Sequence, residues 1–213
     1  MTTLPRRALI VIDVQNEYVS GNLPIGYPDI DCSLAKVGHA MDAARAAGIP
    51  VVVVQHGTPP GTPIFARGSH GWELHPVVAS RPRDHLVQKE KASAFEGTDL
   101  EAWLRERGIG TVTVAGYMTH NCVDTTVKHA LLLGLAAEVL ADATGSPSYA
   151  NRAGAASARQ IHESFMVVMQ SGFANVMATQ EWVAALQGAP LPERGSIFAS
   201  SQAARATARL QPA

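Results

Sequence analysis

Ala8-Leu9-Ile10-Val11-Ile12-Asp13-Val14 runs almost continuously apolar until its aspartate. A run without polar alternation suits a strand covered on both faces, the condition inside a parallel sheet. Val51-Val52-Val53-Val54 repeats the signal with four β-branched residues, just after Ile49-Pro50. Between the two lies an Ala-rich helical stretch from about Leu34 to Ala47, closed by Gly48. The alternation then continues, with strands expected at 85–88, 111–115, 137–140 and 174–177 and helices at 99–107, 121–133, 151–169 and 179–186. Short strands alternating with longer helices predict an α/β fold, a three-layer α/β/α sandwich around a mainly parallel, Rossmann-like sheet. Residues 57–84, rich in Gly, Pro and His, read as a long loop with short helical turns at most; loops of that length inside compact domains usually carry function. A single domain is expected over 1–190. The weakly periodic residues 191–213 read as a C-terminal tail or packing arm.

Composition narrows the class. Of 213 residues, 46% are hydrophobic and 16% charged, enough apolar material for a full core. Lys and Arg number 17 against 18 Asp and Glu, a net charge of -1, which supplies no global field for nucleic acid or an anionic membrane. Only Cys32 and Cys122 are present, which makes no disulfide framework and fits a reducing compartment. The opening apolar run breaks at Asp13 and Glu17, and Ala130 to Ala137 is too short to cross a bilayer. A soluble, cytoplasmic protein is expected, with no nucleic-acid or membrane partner.

Open parallel sheets place ligands at the carboxyl ends of their strands. Asp13, His56, Lys89 and Cys122 all fall at such ends. Cys122 stands where a strand gives way to a helix, so unpaired N–H groups and the positive helix end favour its thiolate. A neighbouring ammonium would depress the thiol pKa further, and a carboxylate beside it could take the proton and return it. Asp13, Lys89 and Cys122 thus compose a nucleophile, its base and an electrostatic partner, with no histidine required. Each also has a plainer reading: Asp13 as a turn cap, Lys89 as part of a solvated charge run and Cys122 as a small buried hydrophobe.

Three stretches carry a resemblance: Ala8 to Glu17, Lys89 to Leu100, and Ala115 to Thr126 with its Gly116-Tyr117-Met118-Thr119-His120-Asn121-Cys122 segment. With the Ala141-Asp142-Ala143 turn they occur in family order, and together the chain resembles the isochorismatase-like cysteine hydrolases, among them nicotinamidases and N-carbamoylsarcosine amidohydrolase. The resemblance implies that fold, with Asp13 as general base and acid, Lys89 as charge partner and Cys122 as nucleophile through a thioester. It also implies a non-proline cis peptide at Tyr117–Met118, with the N–H groups of Met118 and Cys122 forming an oxyanion hole. Family members assemble as dimers or tetramers, so a homo-oligomer is expected.

Nicotinamidases in this family bind a metal through an Asp-x-His pair after the second strand; here the matching place reads Val54-Gln55-His56, without the aspartate. No compact ligand spacing replaces it, so neither metal nor other cofactor is expected. Candidate pocket residues are Tyr18, His56, Phe65, Trp72, Tyr117, Thr119, His120 and Asn121, although aromatic residues at such positions also serve to pack loops onto a sheet. The leading expectation is a cysteine hydrolase of a small amide, ureide or carbamoyl compound. The alternatives are a nicotinamidase, a vinyl-ether hydrolase of the isochorismatase type, and a non-catalytic binding or scaffold protein of the same fold.

Overall fold

The structure is a computed structural model that describes residues 6–209. Eight strands and seven α-helices follow in chain order: β1 (Arg7–Ile12), α1 (Ile30–Ala46), β2 (Val51–His56), α2 (Pro76–Ala79), β3 (His85–Lys89), α3 (Leu100–Glu106), β4 (Thr111–Tyr117), α4 (Asp124–Leu132), β5 (Ala136–Gly145), β6 (Tyr149–Asn151), β7 (Gly154–Ala156), α5 (Ala158–Gly172), β8 (Asn175–Met177), α6 (Thr179–Leu186) and α7 (Ile197–Arg209). Six strands form one sheet in the order β3-β2-β1-β4-β5-β8, and every pairing within it is parallel. β1 lies at its centre, and its side chains are buried on both faces. Ala8, Ile10 and Ile12 enter one core with Trp103, Val127 and Met169, while Leu9 and Val11 enter the other with Val37, Met41 and Trp182. Burial on both sides explains why the run carries no polar alternation.

One ion pair crosses the sheet within the core. Arg7 of β1 donates to Glu138 of β5, with Nη2 to Oε1 at 2.9 Å, and Thr113 and Trp182 also donate to that carboxylate. A charge buried this deeply is tolerable only when its lone pairs are met, and here four donors meet them.

One expectation needs correction. The helix expected from 151 begins only at Ala158, because residues 149–156 form the β6–β7 hairpin. Gly154 stands at φ +138, and the Asn151 side chain accepts from the Ala153 N–H, so local turn chemistry interrupts the helix. Ser157 and Gln160 then close a capping box that sets the true start. Residues 192–194 are hydrogen-bonded to the body through Asn175, Gln170 and Gly172, and α7 follows, with Ile197 and Phe198 about three-quarters exposed at 74% and 75%. Between β4 and α4 the chain makes one π-type turn, Thr119–Val123, closed by Val123 N–H donating to the Met118 carbonyl at 3.2 Å.

Gly116 controls how closely β4 meets β1 at the edge where the site forms. Its φ is +105, and a Cβ there would lie 2.0 Å from the Ile12 carbonyl oxygen, one residue before Asp13. Backbone cannot yield as a side chain can. Gly116→Ala is therefore expected to lose about 2 kcal/mol or more in urea unfolding. Gly110→Ala, where a Cβ meets nothing within 4 Å, stays within about 0.5 kcal/mol of wild type.

Candidate active site

The parallel register brings three distant residues to one edge. Asp13 directly follows β1, and its N–H donates to the Val54 carbonyl of β2 at 2.9 Å. It adopts φ 52, a left-handed conformation that few residues other than Gly, Asn and Asp take up readily. Lys89 ends β3 opposite His56 of β2. Cys122 sits in the π-type turn after β4. The Lys89 ammonium lies 2.7 Å from Asp13 Oδ2, 3.2 Å from Cys122 Sγ and 3.1 Å from the Lys91 carbonyl. Asp13 and Lys89 are wholly buried, and Cys122 is 5% exposed.

Asp13 Oδ2 is held by the ammonium, while Oδ1 has no partner among the described residues and keeps acceptor capacity. Burial would lower the Lys89 pKa, yet the charges of Asp13 and Cys122 outweigh it and the ammonium is held above its ordinary value. For Cys122, burial leads and Asp13 adds to it, while Lys89 opposes; the thiol is pushed up to about 12. Enclosure of the sulfur thus favours the protonated thiol beside Asp13.

The surrounding residues hold this edge together. Thr119, fully buried, shares hydrogen bonds with Thr144 of β5 at 3.0 Å and with Nδ1 of His162 of α5 at 2.9 Å, which pins the turn carrying Cys122. Tyr117 is equally closed off, its hydroxyl bonded to Ser33 of α1, and the Tyr117–Met118 peptide is cis. Tyr18 packs against Phe65 and Tyr117, with ring centroids 5.1 and 5.4 Å away. Phe65 also meets His56 edge-on at 5.3 Å. Thr119 and Tyr117 are thus taken up in supporting contacts, the Asn121 side chain faces solvent, and Trp72 is half-buried, its carbonyl accepting from Gln15 and Gln55. His120 is half-buried and His56 retains a buried, unpartnered Nδ1.

Several organising residues escaped the sequence reading. Gln15 spans the site's floor, donating to the His56 and Trp72 carbonyls at 2.9 and 2.7 Å and accepting from the His56 N–H. Glu17 accepts from the N–H groups of Asn22 and Phe65, so one buried carboxylate fastens the first loop to the long one. Both lie inside the Asp13 to Glu17 stretch, where two polar residues following a buried strand were the available signal. Tyr149 and Ser146, which flank His120, gave none. A cavity of about 470 Å3 opens at the opposite edge of the sheet, among Arg6, Ile49, Pro50 and Ile109, and has no part in this site. A shallower one of about 290 Å3 between the two loops reaches Glu17 and Phe65. Among the described residues no group of three or more His, Cys, Asp or Glu side chains is placed to hold a metal ion, and no helix is long and apolar enough to cross a membrane.

Comparison with known proteins agrees with the architecture. The isochorismatase domain family matches residues 7–181. A solved structure of a candidate isochorismatase from Burkholderia xenovorans LB400 superposes with a TM-score of 0.95 at 62% identity, over 97% of this chain and 100% of that one. Ureidoacrylate amidohydrolase of Stutzerimonas stutzeri (strain A1501) is 33% identical over 181 residues, covering 68% of this chain and 73% of that protein. The N-carbamoylsarcosine amidase structure from Thermoplasma acidophilum matches at a TM-score of 0.66 and 26% identity, over 82% of this chain and 96% of that one. The chain belongs to the isochorismatase-like cysteine hydrolase family, and it is an enzyme of the hydrolase class.

Two measurements probe this edge. In a Cys32→Ser background, alkylation of Cys122 by iodoacetamide is expected to accelerate about tenfold per pH unit from pH 7 to 9. A rate already at its plateau at pH 7 would contradict the raised thiol. His162 is lowered from 6.5 to about 4, by burial against a smaller opposing effect of Glu163. A histidine lowered on folding stabilises fully above its unfolded value and loses that contribution as pH falls through the folded one. Urea unfolding of wild type should therefore weaken from pH 6.5 toward 4, by at most about 1.4 kcal/mol per unit from this group. His162→Asn should remove that share of the slope.

Proposed function

We propose that this protein is a cysteine amidohydrolase of a small amide, ureide or carbamoyl compound, acting through Cys122, Asp13 and Lys89. The observation that carries the reading is the Lys89 ammonium, within 3.2 Å of the sulfur and 2.7 Å of the carboxylate, with both charged side chains buried. Relatives named for ureidoacrylate, N-carbamoylsarcosine and streptothricin hydrolysis support the substrate class.

The steps follow from the charges. A carbonyl substrate enters with its oxygen toward the N–H groups of Met118 and Cys122. Its approach lets the thiol proton pass to Asp13 as the sulfur bonds to the carbonyl carbon and the carbonyl electron pair moves to oxygen. Two fixed N–H donors stabilise that oxyanion, and losing one costs about 3 kcal/mol of transition-state stabilisation. Asp13 then gives its proton to the leaving nitrogen, the carbon–nitrogen bond breaks, and ammonia or an amine departs from a thioester. Water loses a proton to Asp13 and its oxygen bonds to the same carbon. The carbon–sulfur bond breaks, and the proton held by Asp13 returns to the sulfur. Atoms balance as amide plus water giving acid plus ammonia. Throughout, Lys89 keeps the migrating negative charge next to a fixed positive one. A protonated resting thiol fits this sequence, because the proton is needed two steps later.

Ammonia release from a panel of small primary amides and ureides tests the reading. Wild type should turn over at least one of them equally with and without chelator. Cys122→Ala and Asp13→Asn should each fall by about a thousandfold or more. Turnover that survives Cys122→Ala removes the thiol mechanism and favours acid-catalysed vinyl-ether cleavage; activity lost to chelator calls for a metal.

A further inference from the structure

The exposed β6–β7 hairpin turns one side chain back onto the site. The Tyr149 hydroxyl lies 3.0 Å from Nε2 of His120 and 3.6 Å from Sδ of Met118, and its ring meets the His120 ring edge-on at 5.1 Å. Nδ1 of His120 lies 3.0 Å from the hydroxyl of Ser146, a fully buried residue at the end of β5. The imidazole is thus fixed from both sides. Burial lowers its pKa, with Asp124 opposing, so the ring is neutral at pH 7 and presents one donor and one acceptor. When Nε2 carries the hydrogen, it donates to the Tyr149 oxygen, and the phenol proton is left facing a thioether, which is a weak acceptor. Burial leads in raising Tyr149 and keeps that proton in place.

We propose that Tyr149 is a substrate-binding residue whose hydroxyl donates to an oxygen of the substrate lying beyond the reacting carbonyl. This rests on the amidohydrolase reading above and narrows its substrate class. The favoured compound is a small primary amide or ureide carrying a second oxygen acceptor, carboxylate or carbonyl, a few bonds from the scissile carbon. Met118 lies between the two donor systems: its backbone N–H serves the reacting oxygen and its side chain sits against the phenol. Any oxygen is a better acceptor than sulfur, so such a substrate takes over the phenol proton without breaking a strong bond. At 39% exposure the Tyr149 side chain is open to solvent on one side while its hydroxyl reaches His120 and Met118.

The test uses the Cys122→Ala protein, which cannot turn over, titrated calorimetrically with succinamic acid and with butyramide, amides of equal chain length that differ in the terminal oxygens. Adding Tyr149→Phe should weaken succinamic acid about tenfold and butyramide less than twofold. Equal weakening of both, weakening of neither, or failure of the Cys122→Ala protein to bind succinamic acid overturns the proposal. Ammonia release by wild type is measured in parallel. Selective dependence on Tyr149 without any turnover would uphold Tyr149 as a ligand-binding residue while defeating amide hydrolysis.

Discussion

Asp13 and Lys89 are both removed entirely from water and set 2.7 Å apart, and the edge of the sheet around them is arranged to make that tolerable. Removing two charges from solvent costs several kcal/mol each, repaid only by close approach and by partners for the remaining donors. Lys89 finds those partners in Cys122 Sγ and the Lys91 carbonyl. Asp13 has the ammonium on Oδ2 but no partner on Oδ1 among the described residues, so the carboxylate keeps acceptor capacity that a fully satisfied ion pair would have spent. The core pair Arg7–Glu138 is the contrast within the same molecule: its carboxylate accepts from Arg7, Thr113 and Trp182. One buried pair is fully satisfied, and the other keeps one oxygen open where the proposed mechanism moves a proton.

Much of this was legible in the chain. The unalternating runs at Ala8 to Val14 and Val51 to Val54 demanded burial on both faces, and the two cores beneath and above β1 supply it. The positions of Asp13, Lys89 and Cys122 at strand ends placed them on one edge, because a parallel sheet sends every strand out on the same side. What the sequence did not disclose depends on contacts between remote segments. No periodicity reveals that Thr119 pairs with His162, or that Glu17 fastens Phe65. The hairpin at 149–156 was hidden by its Ala-rich composition, which imitates a helix until Gly154 and the Ser157 cap are weighed. The raised pKa of the thiol likewise follows from how completely the fold encloses it, which its neighbours in sequence do not disclose.

The polar residues that follow β1 tie the loops to the site. Gln15 meets the second strand and the long loop at once, and Glu17 meets the backbone of both loops, so the same short segment that presents Asp13 also holds the walls around it. Gly71 and Gly21 leave the room this requires, since a Cβ at either would press on Glu17. Wall and base are therefore not independent parts.

The three side chains of the proposed triad do not share equally in the security of the sheet. Asp13 and Cys122 extend from the two central strands, each flanked on both sides, whereas Lys89 closes β3, which is the outermost strand and is held by β2 alone. Peripheral ladders fray at far lower free energy than interior ones. The cation thus depends on a single neighbouring strand for its place, whereas its two partners are braced from both sides. Endurance of the chemistry is set at the rim of the molecule, not at its centre.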